Sequence, residues 1–280
     1  MARYVPDILT HRWVIISPQR LKRPISNGGN SGKNMHPSVF CEGSEDKTPP
    51  EILRLGGGEP NKPGWKVRVF PNKYPITDFH EVIVHSPYCD KDVEKLPLKH
   101  VELVLRAYRE RFTFYKETGQ VLIFCNHGRH AGSSVEHPHS QLVVLPFQIN
   151  LDTLAREPFN NIVSEKKFFY AYCPDFSQWP YELWIVPKRE HTMFHNITDE
   201  ELAELAMLLQ RSLVRLEEIY KKQHIDEFEF GYNYYIYPKK DWYLRIIPRF
   251  VHRAGFELGT GLSVNIVDPA DAAEEFKGKL

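Results

Sequence analysis

Two histidines two residues apart, with a glutamine two residues further on, form the segment His137-Pro138-His139-Ser140-Gln141 in a chain of 280 residues. Residues two apart on a strand share a face. His137, His139 and Gln141 would therefore stand in a polar row, with Leu142 and Val144 facing the other way. Buried polar groups need partners, so such a row calls for a chemical reason. A neutral imidazole is a competent nucleophile toward phosphorus, and a phosphoramidate on His139 would keep a nucleotidyl group activated for a second acceptor. Just upstream, Asn126-His127-Gly128-Arg129-His130-Ala131-Gly132-Ser133-Ser134 is rich in small residues whose amides can wrap phosphate oxygens. With Gln141 they would stabilise charge on the non-bridging oxygens. Two other readings stay open: a His-x-His metal pair and histidines satisfied within a core. Neither explains the Gly/Ser loop. Arg20 and Arg23, three apart after a short strand, suit either an anion clamp or an ordinary basic surface.

The elements that must position these groups follow a regular order. Residues 12–16 read as a short strand, and 26–34 and 56–64 as Gly/Asn/Pro-rich loops around a small module containing Cys41. Strand patterns follow at 66–70 and 81–85. A helix is expected over 92–116 with Leu96, Val101, Leu105 and Tyr108 on one face, then strands at 120–125 and 139–145. The second half repeats the order: strands at 168–172 and 182–186, a long amphipathic helix from Asp199 to about Lys222, and strands at 228–237 and 242–247. Glu182 stands 101 residues after Glu81, and Arg245 stands 104 after Gln141. An α+β fold of two tandem units is expected, residues 1–150 and 151–280, each an antiparallel sheet with a long packed helix. Where the first unit has its histidines, the second reads Asp241-Trp242-Tyr243-Leu244-Arg245, so the second copy is degenerate at that motif.

Composition narrows the class. Lysine plus arginine and aspartate plus glutamate both number 36, so the net charge is zero and no nucleic-acid partner is expected. The first residues lack the apolar core of a signal peptide, and no run of apolar residues is long enough to span a membrane. A cytoplasmic location is expected, with Cys41, Cys89, Cys125 and Cys173 as reduced thiols or metal ligands rather than disulfides.

At these motifs the chain resembles the galactose-1-phosphate uridylyltransferase family of the histidine-triad superfamily, including its ADP-sugar phosphorylase-like members. The resemblance rests on residues 17–24 (SPQRLKRP), 70–75 (FPNKYP), Asn126-His127-Gly128, Gly132 to Gln141, and 256–261 (FELGTG). It implies that His139 becomes nucleotidylated with its ring oriented by the His137 carbonyl, and that Gln141 contacts the transferring phosphoryl group. Arg20, Arg23, Asn72, Asn126, Gly132 and Ser134 would surround the nucleotide and its phosphates. It also implies a homodimer. The implied reaction is ping-pong transfer of a nucleoside monophosphate from a nucleotide sugar of the UDP-glucose type to a hexose 1-phosphate; the rival is an ADP-sugar phosphorylase with inorganic phosphate as acceptor. Relatives bind zinc through two cysteines and two histidines. Here Ser38 replaces the first cysteine and Cys89 the first histidine. Cys41, Cys89 and His137 remain, with His36 as a fourth ligand. The alternative is a lost metal, with the cysteines as small buried side chains. A second metal site is expected to be absent, since Trp242-Tyr243-Leu244 occupies its place.

Overall fold

The computed structural model describes residues 2–10, 12–22, 38–151, 154–223 and 229–280. A ribbon of β1 (Arg3–Pro6) and β2 (Trp13–Ile16) stands apart from one ten-stranded antiparallel sheet. The first half of that sheet holds β3 (Leu53–Gly56), β4 (Trp65–Pro71), β5 (His80–Val84), β6 (Gln120–His127) and β7 (His139–Leu145). The second holds β8 (Ile162–Glu165), β9 (Phe169–Tyr172), β10 (Leu183–Pro187), β11 (Tyr232–Ile236) and β12 (Leu244–Pro248). The spatial order is β3-β4-β5-β7-β6-β11-β12-β10-β9-β8, so each half repeats the other when read from the opposite edge. The halves join where β6 pairs with β11.

The ladder tests the repeat residue by residue. Gln141 lies opposite Phe124 and Val82, Arg245 lies opposite Tyr235 and Trp184, and Phe124 faces Tyr235 across the junction. Arg245 therefore occupies the place of Gln141, as the offset of 104 expects. The match of Glu81 to Glu182 slips by one residue, because Val82 corresponds to Trp184. In a strand a slip of one reverses the face. Glu81 turns to the helix side, where Arg111 pairs with it, whereas Glu182 turns the other way and pairs with Arg245.

Helices α1 (Leu98–Tyr115) and α2 (Asp199–Lys222) pack on one face of the sheet. Their buried stripes, with Val101, Leu105, Leu205 and Leu209 among them, share one apolar core with Ile83, Leu142, Ile185 and Ile246 from the strands. Helix α2 has the expected limits. The Thr198 hydroxyl accepts from the Glu201 amide at 3.2 Å while Glu201 reaches back to the Thr198 amide at 2.7 Å, a reciprocal cap. Helix α1 starts later than expected. Pro97 forces Leu96 into an extended conformation, so residues 93–95 make only a short turn and the helix begins at Leu98. Two short helices, α3 (Gly255–Thr260) and α4 (Pro269–Phe276), end the chain. Among the described residues, no helix is long and apolar enough to cross a membrane.

Candidate active site

The sheet face away from the helices carries the polar row. His139 opens β7 and is 7 % exposed. Its Nδ1 lies 2.8 Å from the carbonyl oxygen of His137. A carbonyl only accepts, so Nδ1 carries the proton and Nε2 keeps its lone pair. The Phe40 ring meets the imidazole edge-on at 5.2 Å. His139, Gln141 and Ser134 line one cleft with Phe40, Phe70 and Asn72.

Gln141 is oriented by a residue that the sequence did not single out. The Ile76 amide donates to Nδ1 of His80 at 2.9 Å, so the His80 proton sits on Nε2. That Nε2 donates to Oε1 of Gln141 at 2.9 Å, and Nδ2 of Asn72 approaches the same oxygen at 3.5 Å. With its oxygen held by His80, Gln141 has its amide NH2 to offer to a ligand. His80 was hidden because its role depends on the pairing of β5 with β7 and on the 72–76 turn, neither of which shows in spacing.

From the helix side a hydroxyl web grips β7. Ser140 Oγ bonds Nε2 of His85 at 2.7 Å and also meets the hydroxyls of Tyr108 and Tyr234. Burial, and then the neighbouring histidines, hold the His85 imidazole well below its ordinary pKa. Burial therefore favours the uncharged form of the imidazole beneath the strand.

The loop after β6 turns on Gly128 and Gly132, at φ of 83° and 84°, a region that side chains rarely adopt. Asn126 lines a small cavity with Gly128, Ser133 and His139. Its Oδ1 accepts from Asn233 Nδ2 at 2.8 Å, and the same Nδ2 donates to the Ala131 carbonyl at 2.8 Å. His127 is bonded to Asp92 through Nδ1 at 3.2 Å. Burial lowers its pKa and is the largest influence, but Asp92 and Glu94 together carry it above the ordinary value. In the 18–22 turn, Arg20 donates to the Tyr74 carbonyl at 3.0 Å, beside the cleft. Arg23 and His36 lie outside the described residues.

Cys41, Cys89 and His137 converge, with their ligand atoms all within 4.8 Å of one another. His137 Nε2 donates to the Ser86 carbonyl at 2.8 Å, which turns Nδ1 toward Cys41 Sγ, 3.5 Å away. The two sulfurs are joined as a disulfide, with Cα atoms 5.6 Å apart. Reduced thiols or metal ligands, rather than a disulfide, are what the sequence leads one to expect. The fold brings together two cysteines 48 residues apart, as the ligand set implied by the resemblance requires, but joins them to each other.

In the second half the matching face is filled. Tyr243 takes the place of His139 and stacks on Trp184 at 4.1 Å and on Tyr237 at 4.9 Å. Arg245 forms a two-pronged ion pair with Glu182 at 2.7 and 2.9 Å.

Comparisons with known proteins fit this geometry. Residues 65–147 match a family described as "Domain of unknown function (DUF4931) N-terminal domain". The chain is 29 % identical to an ADP-glucose phosphorylase of Arabidopsis thaliana over 96 % of its length and 90 % of that protein. It is 23 % identical to a galactose-1-phosphate uridylyltransferase of Thermotoga maritima, over 98 % of this chain and 97 % of that one. A crystal structure of the Arabidopsis phosphorylase with bound ADP-glucose superposes with a TM-score of 0.74 at 25 % identity, covering 99 % of both chains. The chain thus has the fold of the galactose-1-phosphate uridylyltransferase family and counts uridylyltransferases and an ADP-glucose phosphorylase among its relatives.

Proposed function

We propose that the protein is a nucleotidyltransferase that moves AMP from an ADP-sugar to inorganic phosphate through a covalent bond to His139. The observation that carries the transfer chemistry is the His139 ring, held by its own strand at Nδ1 beside the Gln141 amide. Nε2 attacks the α-phosphorus and expels the sugar 1-phosphate, while Gln141 and the loop amides stabilise charge on the non-bridging oxygens. Phosphate then attacks the adduct and restores the imidazole. A neutral carbonyl orients the ring without strongly raising its basicity, so the imidazole leaves readily in the second step. The choice of ADP-sugar and phosphate over UDP-glucose and a hexose 1-phosphate rests on the likeness to ADP-glucose phosphorylase. Incubation with ADP-glucose or UDP-glucose alone, followed by intact-mass spectrometry and peptide mapping, tests both parts. The expected result is one AMP on His139. A UMP adduct would return the reading to uridylyl transfer, and no adduct with either would end it.

We also propose that Cys41, Cys89 and His137 hold a structural zinc that ties the N-terminal module to β7. The His137 tautomer supports this, since Nδ1 faces the sulfurs. Zinc needs both sulfurs as thiolates, so metal and disulfide are alternative states of one pair. Elemental analysis of reduced protein, with thiol titration after unfolding, decides it; metal-free protein with all four cysteines titrating as thiols would sink the zinc. A homodimer is supported by the exposed apolar strap of Phe256, Leu258, Leu262 and Ile266, and light scattering at micromolar concentration checks it.

A further inference from the structure

The second half of the sheet carries, at the same end as His139, two arginines that form no ion pair among the described residues. Straight across the ladder from Ser140 lie Cys125, Tyr234 and Ile246. That is three strand spacings, about 14 Å. Arg249 follows three residues after Ile246. Its amide still donates to the Gly231 carbonyl at 2.8 Å, so strand alternation reaches it and puts it on the cleft face with Arg245. It also stands beside the Gly128–Gly132 loop. A Cβ on Gly231 would lie 3.8 Å from the Arg249 Cβ and 3.9 Å from that of Ala131.

Arg249 and Arg253 both pack against one indole. Their guanidinium carbons lie 4.4 and 4.8 Å from the Trp179 ring centroid. Arg253 donates to two neutral oxygens, Gln178 Oε1 at 3.0 Å and Ser263 Oγ at 3.1 Å. Arg249 Nε is buried without a hydrogen-bond partner. Neither arginine forms an ion pair among the described residues. Of the nearby carboxylates, Glu182 pairs with Arg245, while Glu257 accepts from the Ala254 amide at 2.9 Å and attracts Arg253 through space without an ion pair. Two guanidiniums on one ring repel each other, and burial, then Arg253, hold Arg249 below the usual arginine range. A dianion with several acceptor oxygens relieves the repulsion and matches the planar donors of both.

We propose that Arg249 and Arg253, backed by Trp179, bind the phosphate dianion that enters or leaves opposite the nucleotide. The dianion is inorganic phosphate or the phosphate of a sugar 1-phosphate. As a step in catalysis this rests on the transfer through His139 proposed above. The nucleotide cleft, walled by Phe40, Phe70 and Asn72, lies on the β4–β5 side of His139, and the arginines lie on the opposite side. In the second half-reaction an oxygen of the dianion bonds to the phosphorus as the P–Nε2 bond breaks. The electron pair returns to the imidazole and the new diphosphate departs. In the first half-reaction the leaving sugar phosphate occupies the same place.

Calorimetric titration of nucleotide-free wild type with inorganic phosphate, and separately with glucose 1-phosphate, tests the subsite without relying on the adduct. At least one should bind at a single site, and R249Q/R253Q should weaken that binding at least tenfold while AMP affinity stays within twofold. Weakening of one anion alone would identify the source of the dianion. If the double variant melts early, R253Q alone, which alters an exposed side chain, should weaken binding at least threefold. Absence of binding to wild type, or binding to a folded variant within twofold of wild type, overturns the subsite. An AMP adduct on His139 with unchanged phosphate binding in the variant removes the subsite and keeps the transfer. Variant-sensitive phosphate binding without any adduct in wild type does the reverse.

Discussion

At the scale of the residue, one hydrogen bond separates His139 from an ordinary strand histidine. His139→Gly removes the nucleophile but leaves Gln141, His80 and the loop in place. Turnover should vanish while nucleotide affinity persists, as single-turnover assays and equilibrium titration can measure. Gln141→Ala should slow adduct formation by about 10²–10³-fold, the usual effect of losing one transition-state donor. A loss below threefold would show that the amide does not face the transferring group. His127 gives a pH signature. Its folded pKa is raised, so its contribution to stability is fully present below the unfolded value of about 6.5 and is lost as pH rises through the folded value. Urea midpoints of wild type and His127→Asn should differ most at pH 5.5 and converge toward pH 9. A gap that widens with pH would contradict the Asp92 pairing. Spacing was enough to locate the polar row, because the period of a strand is two. It was not enough for His80, nor for the opposite facings of Glu81 and Glu182, since one residue of register decides those.

Among the elements, α2 was legible to its last residue, and the reasons are local. Thr198 and Glu201 cap it, acidic residues fill its first turn, and Lys221 and Lys222 end it. Thr198→Ala should cost about 1 kcal/mol, read as a lower urea midpoint at unchanged slope. No change would mean that Glu201, also bonded to Arg189 at 2.9 Å, holds the end alone. Strands β3 and β8 escaped notice for the converse reason. They are the sheet's two edges, four residues each, with burial patterns iiie and eBie. An edge strand packs too little on either face to write a period into its side chains, so its existence is decided by the neighbour it pairs with. The C-terminal helix α4 was missed likewise: eight residues are too few for a periodic signature, and its place is set by contacts such as Arg215 to the Glu275 carbonyl at 2.9 Å.

Across the whole molecule the repeat is a division of labour within one sheet. The first half keeps the imidazole and the open cleft. The second fills the matching face with stacked rings and a buried ion pair, a solid wall rather than a second site. The hydroxyl web crosses the junction, since Tyr234 of β11 reaches Tyr108 of α1 at 2.8 Å and Ser140 of β7 at 3.2 Å. The halves should therefore unfold together. Tryptophan emission, with Trp65 in one half and Trp184 and Trp242 in the other, should coincide with the far-ultraviolet signal in a single urea transition. Two resolved transitions would show that the shared sheet does not couple them. Junction and web also bear on any attempt to use the first half by itself. Cutting the chain near residue 150 would strip β11 from the stretch Ile123–His127 and leave a row of amides and carbonyls open to any passing strand. The place left empty has the shape of β6 itself, because β11 is its counterpart. An excised first half should therefore pair edge to edge with a second copy or precipitate, and a monomeric minimal enzyme should be out of reach by truncation alone.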